Sequence, residues 1–223
     1  MTVEIENIFF HKLNKRSDKW YPYFNIYEKH LSKFRNKSPK ILEIGIQGGG
    51  SLDLWHHYFG KDAKIYGVDN DQSVLEHKYD FDINITIGNQ EDLEFWKNYT
   101  DSHGFFDIII DDGGHTMKQQ ENTLFSLFKN LNYGGVYIVE DTHTSYWNDY
   151  GGGLKKSDSF IELSKNLIDL LHMRHIREMP SIQLINAFHG LESISFYDSI
   201  VALEKEIPKD FRRVLSDNRK VIE

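Results

Sequence analysis

Apolar positions in this chain of 223 residues come in short blocks, and the stretches between the blocks are polar or helix-spaced. Residues 40–46 (KILEIGI) form an apolar run stopped by Gly48-Gly49-Gly50. The next segment is apolar at positions 52, 54, 55, 58 and 59, a spacing that predicts a helix opened by a Ser51 cap. Residues 64–69 (KIYGVD) and 83–89 (INITIGN) read as a second and third strand, and 90–99 as a short helix. Residues 105–110 (FFDIII) are apolar on both faces, which predicts a buried fourth strand. A helix over 117–130 and a fifth strand over 134–140 (GGVYIVE) follow. Strands alternating with helices predict right-handed crossovers and a doubly wound α/β sheet, mostly parallel. The end differs: two β-rich runs in 191–206 break at Tyr197-Asp198-Ser199 and predict a C-terminal antiparallel hairpin. Residues 20–34 carry aromatic and aliphatic side chains at helical spacing and predict a cap over the sheet, and 158–173 suits a helix. The pattern leaves 174–190 unassigned. The expected organisation is a helical cap over 1–38, one α/β domain over 39–207 and a tail over 208–223.

Composition narrows the chemistry. The chain has no cysteine, which excludes thiol catalysis, cysteine-ligated zinc and iron–sulfur clusters, and fits a reducing, cytoplasmic setting. Lys and Arg number 26 against 34 Asp and Glu, a net charge of −8 that argues against nucleic acid or an anionic membrane as partner. The N-terminal stretch has early acids and no long apolar run, so it reads as neither a signal peptide nor a membrane span.

A strand running into Glu43-x-Gly45-x-x-Gly48-Gly49-Gly50 is backbone suited to close approach by a ligand, with a helix N-terminus aimed at it. Gln47 stands where the dinucleotide fingerprint has its second glycine, and no Walker lysine is present. A carboxylate at Glu43 would repel a pyrophosphate but suits a cationic ligand such as the amino group of S-adenosylmethionine. Asp69, at the end of the second strand, is placed for two ribose hydroxyls, and Asn89-Gln90, after the third, for an adenine edge. Each alone reads better as a turn glycine, a solvated acid or a cap; all three on successive strand ends favour a nucleotide site.

The fourth strand ends in Asp111-Asp112-Gly113-Gly114-His115 and the fifth in Glu140-Asp141. Neighbouring strands would bring these four carboxylates together, and like charges so close require protonation or a bridging cation. Hard oxygen donors without thiols suit Mg²⁺. His115, on a Gly-Gly turn beside the acids, is the candidate general base, with His143 second. The loop with Tyr146, Trp147, Tyr150 and three glycines either folds over an acceptor or packs on the sheet edge.

The segments ILEIGIQGGGSLDLWHHYFG, IYGVDND, IGNQEDLEFW, FDIIIDDGGHTMKQQ and GGVYIVEDTHTSYW together resemble class I S-adenosylmethionine-dependent methyltransferases with their Rossmann-like sheet. More narrowly they resemble the metal-dependent macrocin- and mycinamicin-type sugar O-methyltransferases, over residues 19–205. The resemblance implies that Asp112, Glu140 and Asp141 hold Mg²⁺ and that His115 deprotonates the acceptor hydroxyl. It implies further that Glu43, Gly45, Ser51, Asp69, Asn89, Gln90 and Asp111 surround S-adenosylmethionine; His143, Tyr146 and Trp147, in the aromatic loop after the fifth strand, are the candidate contacts to a small-molecule or glycan acceptor. Such enzymes can carry a further N-terminal domain where this chain shows a short cap, which leaves acceptor and homo-oligomeric assembly open. Two readings stand beside this one: a non-sugar acceptor, or a cofactor-binding protein without catalysis.

Overall fold

A computed structural model describes residues 4–178 and 180–213. The strands are β1 (Lys40–Ile44), β2 (Lys64–Asp69), β3 (Ile83–Ile87), β4 (Phe106–Asp111), β5 (Leu131–Val139), β6 (Leu191–Phe196) and β7 (Val201–Lys205). They form one sheet in the order β3-β2-β1-β4-β5-β7-β6. The first five are parallel to one another, whereas β7 runs antiparallel to both β5 and β6. The expected α/β sheet with its C-terminal hairpin is therefore present. The strand order reverses between β1 and β4, where a doubly wound sheet opens its crevice.

Helices α1 (Glu4–His11), α2 (Tyr23–Leu31), α3 (Gly50–Phe59), α4 (Leu93–His103), α5 (Met117–Leu127), α6 (Phe160–Asn166), α7 (Ile168–Leu171) and α8 (Ile182–Ala187) cover the faces. The period-two pattern of the strands divides the core. Ile41, Ile65, Ile108, Ile110, Val136 and Ile138 pack with Trp55 and Phe59 of α3 and with Ile5, Ile8, Tyr23, Phe24 and Tyr27 of α1 and α2. Leu42, Ile44, Ile109, Tyr137 and Val139 point the other way, onto Trp96, Leu124 and Phe160. The first helices thus share a core with the sheet.

Several expectations need correction. The third helix begins before Ser51: Gly49 is its N-cap, in the left-handed region at φ +79° and without a side-chain cap bond. The fourth starts at Leu93 because Asp92 accepts from the amides of Glu94 at 2.9 Å and Phe95 at 3.1 Å, which fixes the N-terminus there. The helix expected over 158–173 is broken at Leu167, a fully buried residue that ends α6 and precedes α7. Trp20 lies outside α2, on an irregular strap joining α1 to α2, and is exposed. Helix α1 was not legible from the pattern, and α8 lies in the segment it left unassigned. Of the expected tail, 214–223 lie outside the described residues.

Gly45 shows how tightly the strand ends are packed. Its φ is +89°, and a Cβ there would sit 2.0 Å from the carbonyl oxygen of Asp112. Gly45→Ala is expected to cost at least about 2 kcal/mol of stability, from a forbidden conformation together with a backbone collision. An unchanged urea midpoint would contradict this.

Candidate active site

The strand ends are pinned by hydrogen bonds that continue the ladder past the last sheet residues. The Asp112 amide donates to Ile44 O at 2.9 Å, and the Glu140 amide to Asp111 O at 2.9 Å. The two acidic pairs are therefore side by side, with a cavity of about 550 Å³ above them. Its wall includes Gly45, Ser51, Asp69, Gln90, Asp112, His115, Glu140 and Asp141, and it is closed by strap residues Arg16 to Trp20 together with Tyr23.

The strap changes the meaning of the glycine turn. A Cβ on Gly48 would lie 2.6 Å from Arg16 O, and one on Gly50 would lie 2.5 Å from Lys15 O. The Gly50 amide donates to Arg16 O at 3.0 Å. These two glycines are covered by the strap rather than left bare for a ligand. Asp69 holds the same turn: its carboxylate accepts from the amides of Ile46 at 2.7 Å, Gln47 at 3.1 Å and Asp71 at 2.9 Å.

The strap delivers Lys19 to the acids. Its ammonium donates to Asp112 Oδ2 at 2.5 Å and Glu140 Oε2 at 2.9 Å, and lies 3.9 Å from Glu43 Oε1. A lysine is almost never fully buried unless paired, and the Lys19 side chain is 2% exposed. Burial opposes its charge, but Asp112, Glu140 and Glu43 outweigh burial and hold the ammonium well above its ordinary value. Glu43 also accepts from Trp55 Nε1 at 3.0 Å. Burial pushes its carboxyl up to about 7 against the pull of Lys19. Glu140 takes a second bond from Tyr27 OH at 2.5 Å, and burial pushes it up to about 8, with Asp112 acting in the same direction.

Asp112, His115 and Asp141 form a second group, each offering one ligand atom within 4.8 Å of the others. His115 Nε2 is 3.8 Å from Asp112 Oδ1 and 3.5 Å from Asp141 Oδ2. His115 Nδ1 is buried without a partner among the described residues. Burial lowers the pKa of the ring, with both carboxylates opposing, so the neutral form is favoured. His115 at φ +60°, Asp141 at +51° and Gln47 at +45° all stand in the left-handed region, a strain that non-glycine residues keep mainly at functional sites. Thr144 Oγ1 donates to His115 O at 2.8 Å, and Tyr23 OH to Asp141 Oδ1 at 2.7 Å, which hold the two in place.

Other expected site residues lie further off. Asp111 points to the opposite face, accepting from Gln90 Nε2 at 2.7 Å. Gln90 uses its other amide atom on the Gly114 amide at 2.9 Å. Asn89 is exposed and caps its own turn at the Glu91 amide, 2.9 Å away. His143 and Trp147, with ring centroids 4.6 Å apart, do not line the cavity; Trp20, which does, is 6.3 Å from His143, and Tyr150 is 5.8 Å from Trp147. Tyr146 is half exposed beside them. Lys19, Trp20, Tyr23, Tyr27 and Ser199, whose hydroxyl lies 2.8 Å from Tyr23 OH, were not foreseen. The only cue to Lys19 was a lysine inside an aromatic run, Lys19-Trp20-Tyr21-Pro22-Tyr23.

No protein-family model matches the chain. Curated proteins do. The 8-demethyl-8-(2-methoxy-alpha-L-rhamnosyl)-tetracenomycin-C 3'-O-methyltransferase of Streptomyces olivaceus is 34% identical over 203 residues, 85% of this chain and 51% of that protein. The demethylmacrocin O-methyltransferase of Streptomyces fradiae is 32% identical over 206 residues, 83% of this chain and 51% of its own length. The chain thus spans about half the length of the curated relatives it matches. Among solved structures, the MycE methyltransferase of the mycinamycin pathway, in complex with Mg and SAH, superposes with a TM-score of 0.78 at 28% identity, covering 93% of this chain and 57% of that one. By fold the chain is a class I methyltransferase. Within that class its homologues are the macrocin-, mycinamicin- and tetracenomycin-type sugar O-methyltransferases.

The environment of Asp111 makes a prediction. Burial pushes its carboxyl up to about 7, with bonds from Gly113, Gln90 and Thr123 opposing. A carboxyl raised on folding binds more protons in the folded state, so stability falls as pH rises from the unfolded value of ~3.9 through the folded one. Asp111→Asn replaces the neutral acid with a neutral isostere. Its melting temperature is expected to gain on wild type as pH rises, with a larger advantage at pH 8 than at pH 5; a difference that is the same at both would refute this.

Proposed function

We propose that this chain is the methyl-transferring unit of an S-adenosylmethionine- and divalent-cation-dependent sugar O-methyltransferase, built from residues 39–207 together with the strap. The observation that carries the reading is a single cavity with two halves: a turn–Asp69–Gln90 half suited to a nucleoside and an Asp112–His115–Asp141 half suited to a cation and a hydroxyl. At about 550 Å³ the cavity is in the size range of cofactor pockets.

The donor set fits both groups. Asp112 and Glu140 already hold a cationic nitrogen, and Asp112 Oδ1 and Asp141 Oδ2 face each other across His115. Hard divalent cations prefer oxygen, so Asp112, Glu140 and Asp141 would hold Mg²⁺ and leave His115 for the proton. Asp69 would take the ribose hydroxyls, beside Gly45, Ser51 and Gln90. Glu43, Asn89 and Asp111 would act from behind the cavity wall, by holding Trp55, a turn and Gln90. When bound, Mg²⁺ acidifies a chelated hydroxyl and the sulfonium supplies an electrophilic methyl.

The remaining work falls to the chain itself. His115 accepts the hydroxyl proton at Nε2, and its unstable backbone conformation is held by Thr144. Trp20 at the cavity, with His143, Trp147, Tyr150 and Tyr146 beyond it, would give flat faces for a pyranose. The relatives' names point to deoxyhexosides, rhamnosides among them, as the acceptor class to try first. No described helix is long and apolar enough to cross a membrane, and the proposed setting is the cytoplasm, where the methyl donor is made.

The test is methyl transfer from labelled S-adenosylmethionine to a panel of aryl rhamnosides and related deoxyhexosides. Transfer should vanish with EDTA and return with Mg²⁺. His115→Ala should keep S-adenosylhomocysteine affinity while losing on the order of 10²–10⁴-fold in turnover. Full transfer in EDTA would reject the cation, and a His115→Ala enzyme within about tenfold of wild type would reject the base. The acid limb of kcat/KM should lie below the ordinary histidine value of ~6.5, because burial favours the neutral ring. A limb above that value would count against His115.

A further inference from the structure

Lys19 has no part in the chemistry just described, yet it stands at its centre. It holds Asp112 Oδ2 and Glu140 Oε2, while Tyr27 holds Glu140 Oε1. Both oxygens of Glu140 and one of Asp112 are thereby committed. Among the described residues, only Asp112 Oδ1 and Asp141 Oδ2 still face His115.

We infer that Lys19 is a tethered cation that competes with the divalent ion for Asp112 and Glu140, and that it withdraws when the ion binds. This rests on the reading of these acids as metal ligands. Three carboxylates, Glu43, Asp112 and Glu140, converge on one point, and buried like charges are not tolerated without a counter-charge. An ammonium meets that need whenever no ion is bound. It is also a reversible occupant, since lysine is a point charge on a flexible four-carbon stem, without the fixed fork that makes arginine a permanent clamp.

The strap suits that exchange. Arg16 O is fixed to the Gly50 amide at 3.0 Å, and Trp20 O accepts from the Tyr23 amide at 3.0 Å. Lys19 lies between two anchored points on backbone that is neither helix nor strand, so its side chain can turn away while the cavity wall stays in place. Glu140 can offer an oxygen to a metal only after Lys19 releases it, because Tyr27 holds the other. The same strap therefore closes the nucleoside half of the cavity and carries the competitor for the cation half.

Two measurements test this without reference to turnover. Wild type and Lys19→Met are titrated with Mn²⁺, free ion being read by electron paramagnetic resonance. Wild type is also treated with an amine-acylating reagent with and without saturating Mg²⁺, and acylation of Lys19 is counted by mass spectrometry. Lys19→Met should bind Mn²⁺ at least about tenfold more tightly, the scale of one removed unit charge at close range. In wild type, Lys19 should be protected without metal and acylated with it. Lys19 still protected at saturating Mg²⁺, or weaker Mn²⁺ binding by the variant, would make the ammonium a fixed strut and overturn the inference. If neither protein binds Mn²⁺, the metal reading itself fails, which is distinct from tight binding with Lys19 unmoved. Should Lys19→Met not fold, the wild-type acylation decides alone.

Discussion

Carboxylates gathered at the carboxyl ends of adjacent parallel strands cannot all be charged unless a cation stands among them. That constraint organises the molecule. The ladder bonds of Asp112 and Glu140 bring the acids together regardless of their charge. The response is built from outside the sheet: α1 and α2 share the core of one face, and the strap between them lies on Gly48 and Gly50 and lowers Lys19 into the acids. Without bare glycine backbone at those two positions, the strap would stand off by the width of a side chain. The glycine turn thus serves the cation as well as any nucleoside.

Three of the seven described non-glycine residues with positive φ stand at the same place. Gln47, His115 and Asp141 line the cavity in a backbone region that their side chains disfavour. They are held by Asp69, by Thr144 and by Tyr23, residues from three separate elements. A tyrosine of α2 joins a serine of the β6–β7 turn to Asp141, the acid after β5. A histidine so restrained, with its ring neutral and facing two carboxylates, is pre-positioned to accept a proton rather than free to search for one.

Much of this was legible in the residues. Short apolar or β-rich runs marked all seven strands, and the acids at the ends of the fourth and fifth marked the crevice, because sheet burial and strand-end chemistry leave local traces. What failed was tertiary. Ser51 looked like a cap, but Gly49 in a left-handed conformation ended the loop first. Gly48 and Gly50 looked like ligand contacts, but their neighbours Lys15 and Arg16 are over thirty positions away in the chain, a pairing that no periodicity encodes. Asp111 and Asp112 are adjacent in sequence and point to opposite faces, as strand alternation demands, so one joins Gln90 behind the wall and the other meets Lys19. Lys19 itself sits in an irregular segment, where the pattern of apolar positions has nothing to say.

Anomalous diffraction from crystals of the chain grown with Mn²⁺ and S-adenosylhomocysteine tests the central claim most directly. The claim is that the acids at the ends of β4 and β5 need one cation and accept either the tethered or the free one. The account predicts a manganese peak bounded by the carboxylates of Asp112, Glu140 and Asp141, with the Lys19 ammonium drawn away from Glu140. Crystals saturated with manganese that show no peak there, with Lys19 still spanning Asp112 and Glu140, would contradict it.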